Sequence, residues 1–234
     1  MLPDTAAYKP LDHDRHPDFV PTPPADQALP KQEPGLRPAR ALPYELDVSG
    51  TVNRGELQLR FENTGKAGAC FQVRSGNTAL GPWTYTVEAQ QSLSDAWDTA
   101  RTDRGSYDLS VFGPNGFFRA FRGRLSPQAS NLDVDARYDA DELAIELRIT
   151  NRGPIPCGVS LANAYDGRRD RGDDKGERLR PGQSLDARFS LRDSFGWYDI
   201  AIAVDADAGF LRRLAGHIEN GKDSASDPAF GRFR

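Results

Sequence analysis

The feature that most constrains this chain is a set of short motifs that occurs twice in the same order. The segment LRFENTG, which starts at Leu59, returns 88 residues later as LRITNRG, which starts at Leu147. Three further pairs follow in order: Ser92-Leu93 with Ser184-Leu185, ahead of Trp97 and Phe189; Tyr107-Asp-Leu with Tyr198-Asp-Ile; and Gly116-Phe-Phe-Arg with Gly209-Phe-Leu-Arg. Because the separations drift by only a few residues, the chain is predicted to contain two copies of one module.

Within each copy, short alternating runs between turn residues predict antiparallel strands. Leu57, Leu59 and Phe61 alternate with polar residues, and Asn115-Gly116 predicts a tight hairpin. We expect an all-β fold of two tandem antiparallel immunoglobulin-like β-sandwich domains over residues 44–126 and 131–220, followed by a tail over 221–234. A single closed barrel is the main alternative. The paired aromatics are expected to be core residues.

A proline-rich leader precedes the repeats. Residues 1–43 contain 10 of the 17 prolines of the chain, which excludes a helix or a central strand there. This segment is expected to be either a flexible linker or an ordered, extended strap, and the sequence does not decide between them.

The residues needed for catalysis or metal binding are scarce. Of three histidines, His13 and His16 lie in the leader, and His217 is expected to be an exposed histidine on the last strand. Cys70 and Cys157 are expected to be buried free thiols, because equivalent positions of two sandwiches rarely come close enough for a disulfide. No catalytic residue, cofactor site or metal site is predicted.

Two acidic clusters contain the oxygen ligands that calcium prefers. Asp139, Asp141 and Glu142 are expected to form a turn between strands, and residues 166–177 a solvated loop in which arginines would repel a cation. Trp83, next to Gly81-Pro82, is the one aromatic residue predicted as a candidate contact for lipid or another ligand.

The overall charge gives limits on partners. A formal net charge of −4 argues against nucleic acid as a partner. No stretch approaches the run of about 18 apolar residues that a membrane-spanning helix needs. The first residues also lack the pattern of a secretion signal.

Several motifs resemble a known family, the bacterial phosphocholine-specific phospholipases C. The run from Gln27 to Leu46 is similar to the junction that follows their catalytic domain. Four later blocks resemble their duplicated C-terminal domains: Ser92-Leu-Ser-Asp-Ala-Trp97, Tyr107-Asp-Leu109, Gly113-Pro-Asn-Gly-Phe117 and Gly221-Lys-Asp-Ser-Ala-Ser-Asp-Pro228.

The resemblance implies a parent enzyme, secreted or periplasmic, that hydrolyses phosphatidylcholine or sphingomyelin to phosphocholine and a lipid. Its catalytic residues would belong to a preceding domain, and none of them can be placed on this sequence. The expected function is therefore a non-catalytic accessory region that supports stability or lipid presentation, with the catalytic domain as partner and a phospholipid surface as a further candidate. The alternative is an independent binding module for lipid headgroups, glycans or a secretion partner.

Overall fold

The structure, a computed structural model, describes residues 25–26, 35–98, 100–165 and 176–230. All the strands lie in the unit Pro34–Arg234. The first eight are β1 (Pro38–Ala39), β2 (Leu46–Asn53), β3 (Glu56–Asn63), β4 (Ala69–Ser75), β5 (Trp83–Val87), β6 (Gln91–Trp97), β7 (Ser106–Phe112) and β8 (Phe118–Arg124). The remaining eight are β9 (Leu132–Asp139), β10 (Ala144–Asn151), β11 (Cys157–Asn163), β12 (Glu177–Leu179), β13 (Ser184–Ser190), β14 (Trp197–Val204), β15 (Asp207–His217) and β16 (Ser224–Ala225).

The first repeat, β2 to β8, folds into two facing layers. One layer is the three-stranded sheet β2-β3-β6, and the other contains β5-β4-β7-β8. Alternation determines which side chains face inward, since Leu57, Leu59 and Phe61 of β3 are fully buried while their neighbours reach solvent. They pack with Phe71 and Trp97 in one hydrophobic core.

The second repeat has the same strand order. Its three-stranded sheet is β13-β10-β9, and its four-stranded layer is β12-β11-β14-β15, around a core of its own that includes Ile145, Ile149 and Ile200. Three strands against four is the arrangement of an immunoglobulin-like sandwich. The prediction of an all-β antiparallel sandwich is confirmed, and none of the sheets described is closed into a barrel.

The two four-stranded layers join edge to edge into one eight-stranded sheet. Strand β8 pairs antiparallel with β15, and the register places Arg119 opposite Leu214, Phe121 opposite Arg212, and Ala120 opposite Arg213. Adding 93 residues to Ala120 gives Arg213, so equivalent residues face each other at that pair. The two repeats are therefore related by a local two-fold axis through the Ala120–Arg213 pair.

The Asn-x-Gly motif of each repeat fixes the connection between its two layers. Asn63 is fully buried, and its amide donates to the carbonyls of Ala67 and Val87 while its oxygen accepts from the Gly65 N–H. Asn151 makes the same three bonds, to the Ile155 and Leu179 carbonyls and from the Gly153 N–H. The motif recurs because each connection has buried backbone groups that need these partners.

Several local predictions can be compared with the structure. The Asn115-Gly116 hairpin is confirmed, with both residues at positive φ (56° and 70°), and Asp139 begins the expected turn between β9 and β10. The acidic loop predicted over residues 166–177 lies almost wholly outside the described residues.

The two cysteines differ from the prediction. Both thiols are free and Cys157 is buried, but Cys70 is exposed, so the prediction of burial was wrong for Cys70. The hydrogen-bonded register makes Ala69, not Cys70, the equivalent of Cys157, since Ala69 is opposite Val87 and Cys157 is opposite Leu179. A shift of one residue along a strand moves a side chain to the other face.

The end of the leader and the start of the tail meet in a two-stranded ribbon. Pro38 and Ala39 of β1 pair with Ala225 and Ser224 of β16. Outside this pairing, the Leu42 N–H donates to Glu219. Residues 38–42 therefore form an ordered strap, whereas the leader before residue 35 lies outside the described residues, except for residues 25–26.

Candidate functional site

A buried arginine, Arg119, is the centre of the joint between the two repeats. Its side chain is 1% exposed, and its Nη2 donates to Asp47 Oδ1 and the Tyr198 hydroxyl, each at 3.2 Å, and contacts the Tyr138 hydroxyl. Its Nη1 donates to the Phe118 and Ala215 carbonyls at 2.8 and 3.1 Å. Asp47 belongs to the first repeat and both tyrosines to the second, so one guanidinium binds the two modules together.

Arg212, the two-fold equivalent of Arg119, makes a reciprocal contact. It is 2% exposed, and its Nη2 donates to the hydroxyl of Tyr107 in the first repeat at 2.8 Å. The Tyr-Asp and Gly-Phe-x-Arg motifs thus recur because the arginine of each repeat binds the tyrosine of the other. Glycine is required beneath each hydroxyl, because a Cβ on Gly123 would lie 2.5 Å from the Tyr107 oxygen and one on Gly216 2.9 Å from that of Tyr198.

The electrostatic environments of the two arginines differ. Burial disfavours the charged guanidinium of Arg119, but Tyr138, Tyr198 and Asp47 together raise its pKa above the ordinary value. Burial raises the pKa of Tyr138 well above its usual range, with Arg119 acting in the opposite direction. Among the described residues, Arg212 has no carboxylate partner.

The repeated motifs alone do not mark these arginines as buried, but the alternation of the strands does. Phe117, Arg119, Phe121 and Gly123 lie on one face of their strand, so Arg119 occupies its apolar face. Arg212 does so too, since it follows Phe210 and precedes Leu214 in the same alternation.

A cleft of about 390 Å³ opens beside Arg119, between the two repeats. We call it the acidic cleft, and its walls include Tyr44, Glu45, Asp47, Glu62, Tyr138 and Glu219. Asp47 is 26% exposed on its side chain and accepts hydrogen bonds at Oδ1 from Tyr138 and Arg119. The first repeat supplies Tyr44 and three of the carboxylates, and the second supplies Tyr138 and Glu219.

A second cleft, of about 470 Å³, lies at the position related to the first by the local two-fold axis. We call it the basic cleft, and Arg54, Arg124 and Arg152 line it. Its Arg124 is the equivalent of His217 in the acidic cleft, and its Val52 is the equivalent of Tyr138, by the strand registers. The same scaffold therefore carries two clefts of different chemistry.

His217 lies in a hydrogen-bonded cluster rather than on an exposed strand face. Its side chain is 6% exposed, so the prediction of an exposed histidine was wrong; the tail folds back and covers it. Its Nδ1 is 2.9 Å from Glu219 Oε1, and its Nε2 is 2.9 Å from the Phe195 carbonyl and 3.3 Å from Ser224 Oγ.

Ser224, His217 and Glu219 have the residue types of a hydrolytic triad, but their bonds serve a structural role. The Ser224 hydroxyl donates to the Phe195 carbonyl at 2.9 Å, and this carbonyl is also the nearer partner of His217 Nε2. A general base must instead accept the proton of the nucleophile. The cluster holds β16, and with it the ribbon, against the body of the protein.

Trp83, the candidate ligand contact, is only partly buried and packs against the first core on edge strand β5. Its ring meets Trp97 edge to face at a centroid distance of 5.6 Å, and the Arg101 guanidinium lies 5.4 Å from its centroid. Arg101 in turn pairs with Asp95. Burial raises the pKa of Asp95, but hydrogen bonds from Arg101, Tyr85 and a backbone N–H hold this pKa below its usual value. A lipid contact at Trp83 stays a prediction.

The outward face of the eight-stranded sheet carries an apolar patch across both repeats. We call it the open-face patch, and it consists of the cross-strand neighbours Phe112, Phe118 and Ala215. Ala120 and Ala201 lie two residues further along the strands, on either side of Arg213, which pairs with Asp199. Phe112 is 42% exposed and its ring lies 5.2 Å from that of Phe118. The β1–β16 ribbon contacts Trp197 and His217, which lie on the same face of the sheet, and His217 is two residues from Ala215 along β15.

The parts of the chain that the structure describes contain no cluster of three or more metal-ligating side chains. In those same parts, no helix is long and apolar enough to cross a membrane.

The fold and its clefts define a class: paired immunoglobulin-like sandwiches joined through one continuous sheet, with polar clefts at the joint. The chain belongs to the family described as "Bacterial phospholipase C, C-terminal domain", whose profile matches it twice, over residues 38–124 and 132–217. The family resemblance read from the sequence motifs is thereby confirmed.

Two relatives carry the name non-hemolytic phospholipase C. That of Burkholderia pseudomallei is 49% identical over 97% of this chain and 33% of its own length, and that of Pseudomonas aeruginosa is 41% identical over 90% and 31%. The chain thus spans about a third of the length of these relatives. Among solved structures, red sea bream transglutaminase aligns with 76% of this chain and 31% of the transglutaminase chain, at 14% identity. The TM-score of 0.22 is too low to indicate a shared fold.

Proposed function

We propose that this chain is the non-catalytic C-terminal accessory region of a secreted phosphocholine-specific phospholipase C, and that its open-face patch packs against the catalytic domain of that enzyme. The observation that carries this proposal is the position of the patch. It spans both repeats on the outward sheet face, where Phe112 is 42% exposed, beside the ribbon that begins at Pro38.

The ribbon supports the catalytic domain as the occupant of the patch. Trp197 donates from Nε1 to the Ala225 carbonyl of the ribbon and lies opposite His217 in the sheet. Two residues further along these strands, on the same face, Asp199, Ala215 and Phe118 lie side by side. Rows on one face are separated by two residues, or about 7 Å along a strand. The chain therefore enters the ribbon at Pro38, next to this patch.

The buried joint supports a role in stability. Arg119, Arg212 and the shared sheet hold the two sandwiches in a fixed relation, and a fixed surface loses less conformational entropy on docking than two mobile modules would. The inventory of the described residues agrees with a non-catalytic role, because the Ser224–His217–Glu219 cluster is engaged in structural bonds.

The test uses the whole parent enzyme and a matched pair of substitutions. Phe112→Asp alters the open-face patch, and Ile155→Asp alters a residue of equal exposure elsewhere, 44% against 42%. Phe112→Asp is expected to lower the melting temperature of the enzyme and to speed proteolytic separation of its two parts, and to reduce phosphocholine release from vesicles. Ile155→Asp should change none of these.

The isolated chain provides the control for folding. Both variants should melt close to the wild type when the catalytic domain is absent, because both side chains are exposed. If Phe112→Asp leaves the whole enzyme unchanged in stability, proteolysis and activity, the docking proposal is wrong.

Export is tested by fractionating cells that express the parent enzyme, and retention in the cytoplasm would contradict the secreted assignment.

A further inference from the structure

The local two-fold axis gives an internal comparison between two clefts built on the same scaffold positions. In the acidic cleft, His217 and Glu219 occupy the positions that Arg124 and Ser126 hold in the basic cleft. Tyr138 corresponds to Val52 in the same way. Glu45 and Glu62 correspond to Asn131 and Thr150, so the second repeat folds without a carboxylate at these two positions. Asp47 and Tyr138 differ from them, because both also hold Arg119 at the joint.

The walls of the acidic cleft combine two features that attract a particular kind of ligand. Four carboxylates, Glu45, Asp47, Glu62 and Glu219, line it, against the guanidinium groups of Arg137 in the wall and Arg119 beneath Asp47. Arg60 pairs with Glu62, so four carboxylates and three guanidinium groups give these residues a formal charge of −1. Such a cleft favours a cation over an anion.

The aromatic side chains select the kind of cation. Tyr44 of the first repeat and Tyr138 of the second both line the cleft. Faces of aromatic rings attract cations that carry an apolar shell, and aromatic cages bind quaternary ammonium groups on this principle. A small metal ion would instead require a set of converging oxygen ligands.

The carboxylates are available without disrupting the joint. Asp47 uses Oδ1 to bind Arg119 and Tyr138, and its side chain remains 26% exposed. Among the described residues, Glu45 accepts a hydrogen bond from Thr64 and Glu62 pairs with Arg60, and both partners are exposed. The volume of about 390 Å³ lies within the range of small-molecule sites.

We propose that the acidic cleft binds a quaternary ammonium group, flanked by Tyr44 and Tyr138 and balanced by the carboxylates of Glu45, Glu62 and Asp47. The group can belong to a free organic cation or to a lipid headgroup, because the two share this chemistry. This site is separate from the open-face patch, so the failure of either proposal leaves the other standing.

The test is a titration of the isotope-labelled chain, followed by nuclear magnetic resonance at constant ionic strength. Choline should shift the signals of residues around the cleft with a dissociation constant on the order of 1 mM. The probe 3,3-dimethylbutanol, which has the shape of choline but no charge, should bind at least about threefold more weakly, as expected for loss of a cation–π contact.

Two kinds of variant locate the site. Glu45→Gln with Glu62→Gln should weaken choline binding about three- to tenfold, whereas the matched pair Glu56→Gln with Glu88→Gln, exposed and away from the cleft, should not. Tyr44→Leu keeps an apolar side chain against the core and should weaken binding several-fold. Circular dichroism of each variant checks that it folds.

Vesicles distinguish the two sources of the ligand. Co-sedimentation with phosphatidylcholine but not phosphatidylglycerol vesicles, competed by free choline, would assign a lipid headgroup, and binding of free choline alone would assign a soluble cation. The proposal is overturned if choline gives no saturable shift at the cleft, if the uncharged isostere binds as well, or if the Glu45 and Glu62 changes have no effect.

Discussion

Replacing Arg119 with methionine should separate the contribution of its charge from that of its bulk. The change removes five hydrogen bonds or contacts to Asp47, Tyr138, Tyr198 and two carbonyls, while a side chain of similar length still fills the space. It leaves Asp47 without its cation. Breaking a buried ion pair in this way costs about 3–5 kcal/mol, and the 26% exposure of Asp47 places the expected cost near the lower value.

Arg212→Met is the matched control that the chain itself provides. Arg212 is equally buried and also loses bonds to a tyrosine and two carbonyls, but no carboxylate is left behind. Removing a buried charge that lacks a counter-ion relieves its desolvation, which offsets the lost bonds, so we expect a cost of about 0–2 kcal/mol.

Thermal and urea unfolding of both variants provide the measurement. A loss of about 3 kcal/mol corresponds to roughly 6–12 °C in melting temperature for a unit of this size. The Asp47→Asn/Arg119→Met double variant should be less destabilised than the sum of its single changes. Equal costs for Arg119→Met and Arg212→Met, or additive effects in the double variant, would refute the reasoning that Asp47 makes the difference.

Four further outcomes are expected. Asn151→Ala should cost about 2–4 kcal/mol by urea unfolding, because three buried backbone groups lose their partner. Gly123→Ala should cost about 1–3 kcal/mol, and less in a Tyr107→Phe background, since the added methyl meets the tyrosine hydroxyl. Asp95 has a lowered pKa in the folded state, so its contribution is present above about pH 4 and is lost as pH falls through the folded pKa; Asp95→Asn should flatten this acid limb of the unfolding curve. The isolated chain should not turn over a chromogenic phosphocholine ester, and turnover abolished by His217→Ala would show instead that the tail cluster is catalytic.

Much of each sandwich could be predicted from the sequence because its signals are local. Alternation identifies the inward face of β3, and Asn115-Gly116 identifies the hairpin between β7 and β8. The burial of Cys70 was predicted wrongly because the two cysteines are 87 residues apart, whereas both the Asn-x-Gly motif and the hydrogen-bonded register give an offset of 88, which makes Ala69 the equivalent of Cys157.

The joint and its clefts could not be predicted in the same way. Nothing local in β8 or β15 specifies that these two edges pair, since their alternation is equally compatible with separate modules. The exposure of His217 depends on Ser224, a residue of the tail that returns over it. The acidic cleft likewise joins residues from both repeats, and their proximity follows from the pairing and not from any motif.

The pairing of β8 with β15 also has a consequence for solubility. Each four-stranded layer alone would end in an edge whose unpaired backbone groups invite another chain to add a strand. Because β8 and β15 pair with each other, the outer strands of the shared sheet, as far as the structure describes it, are β5 and β12. A cut between residues 125 and 131 that let the modules separate would expose β8 and β15 as long edge strands with unpaired backbone groups. The separated modules are then expected to self-associate through these two edges.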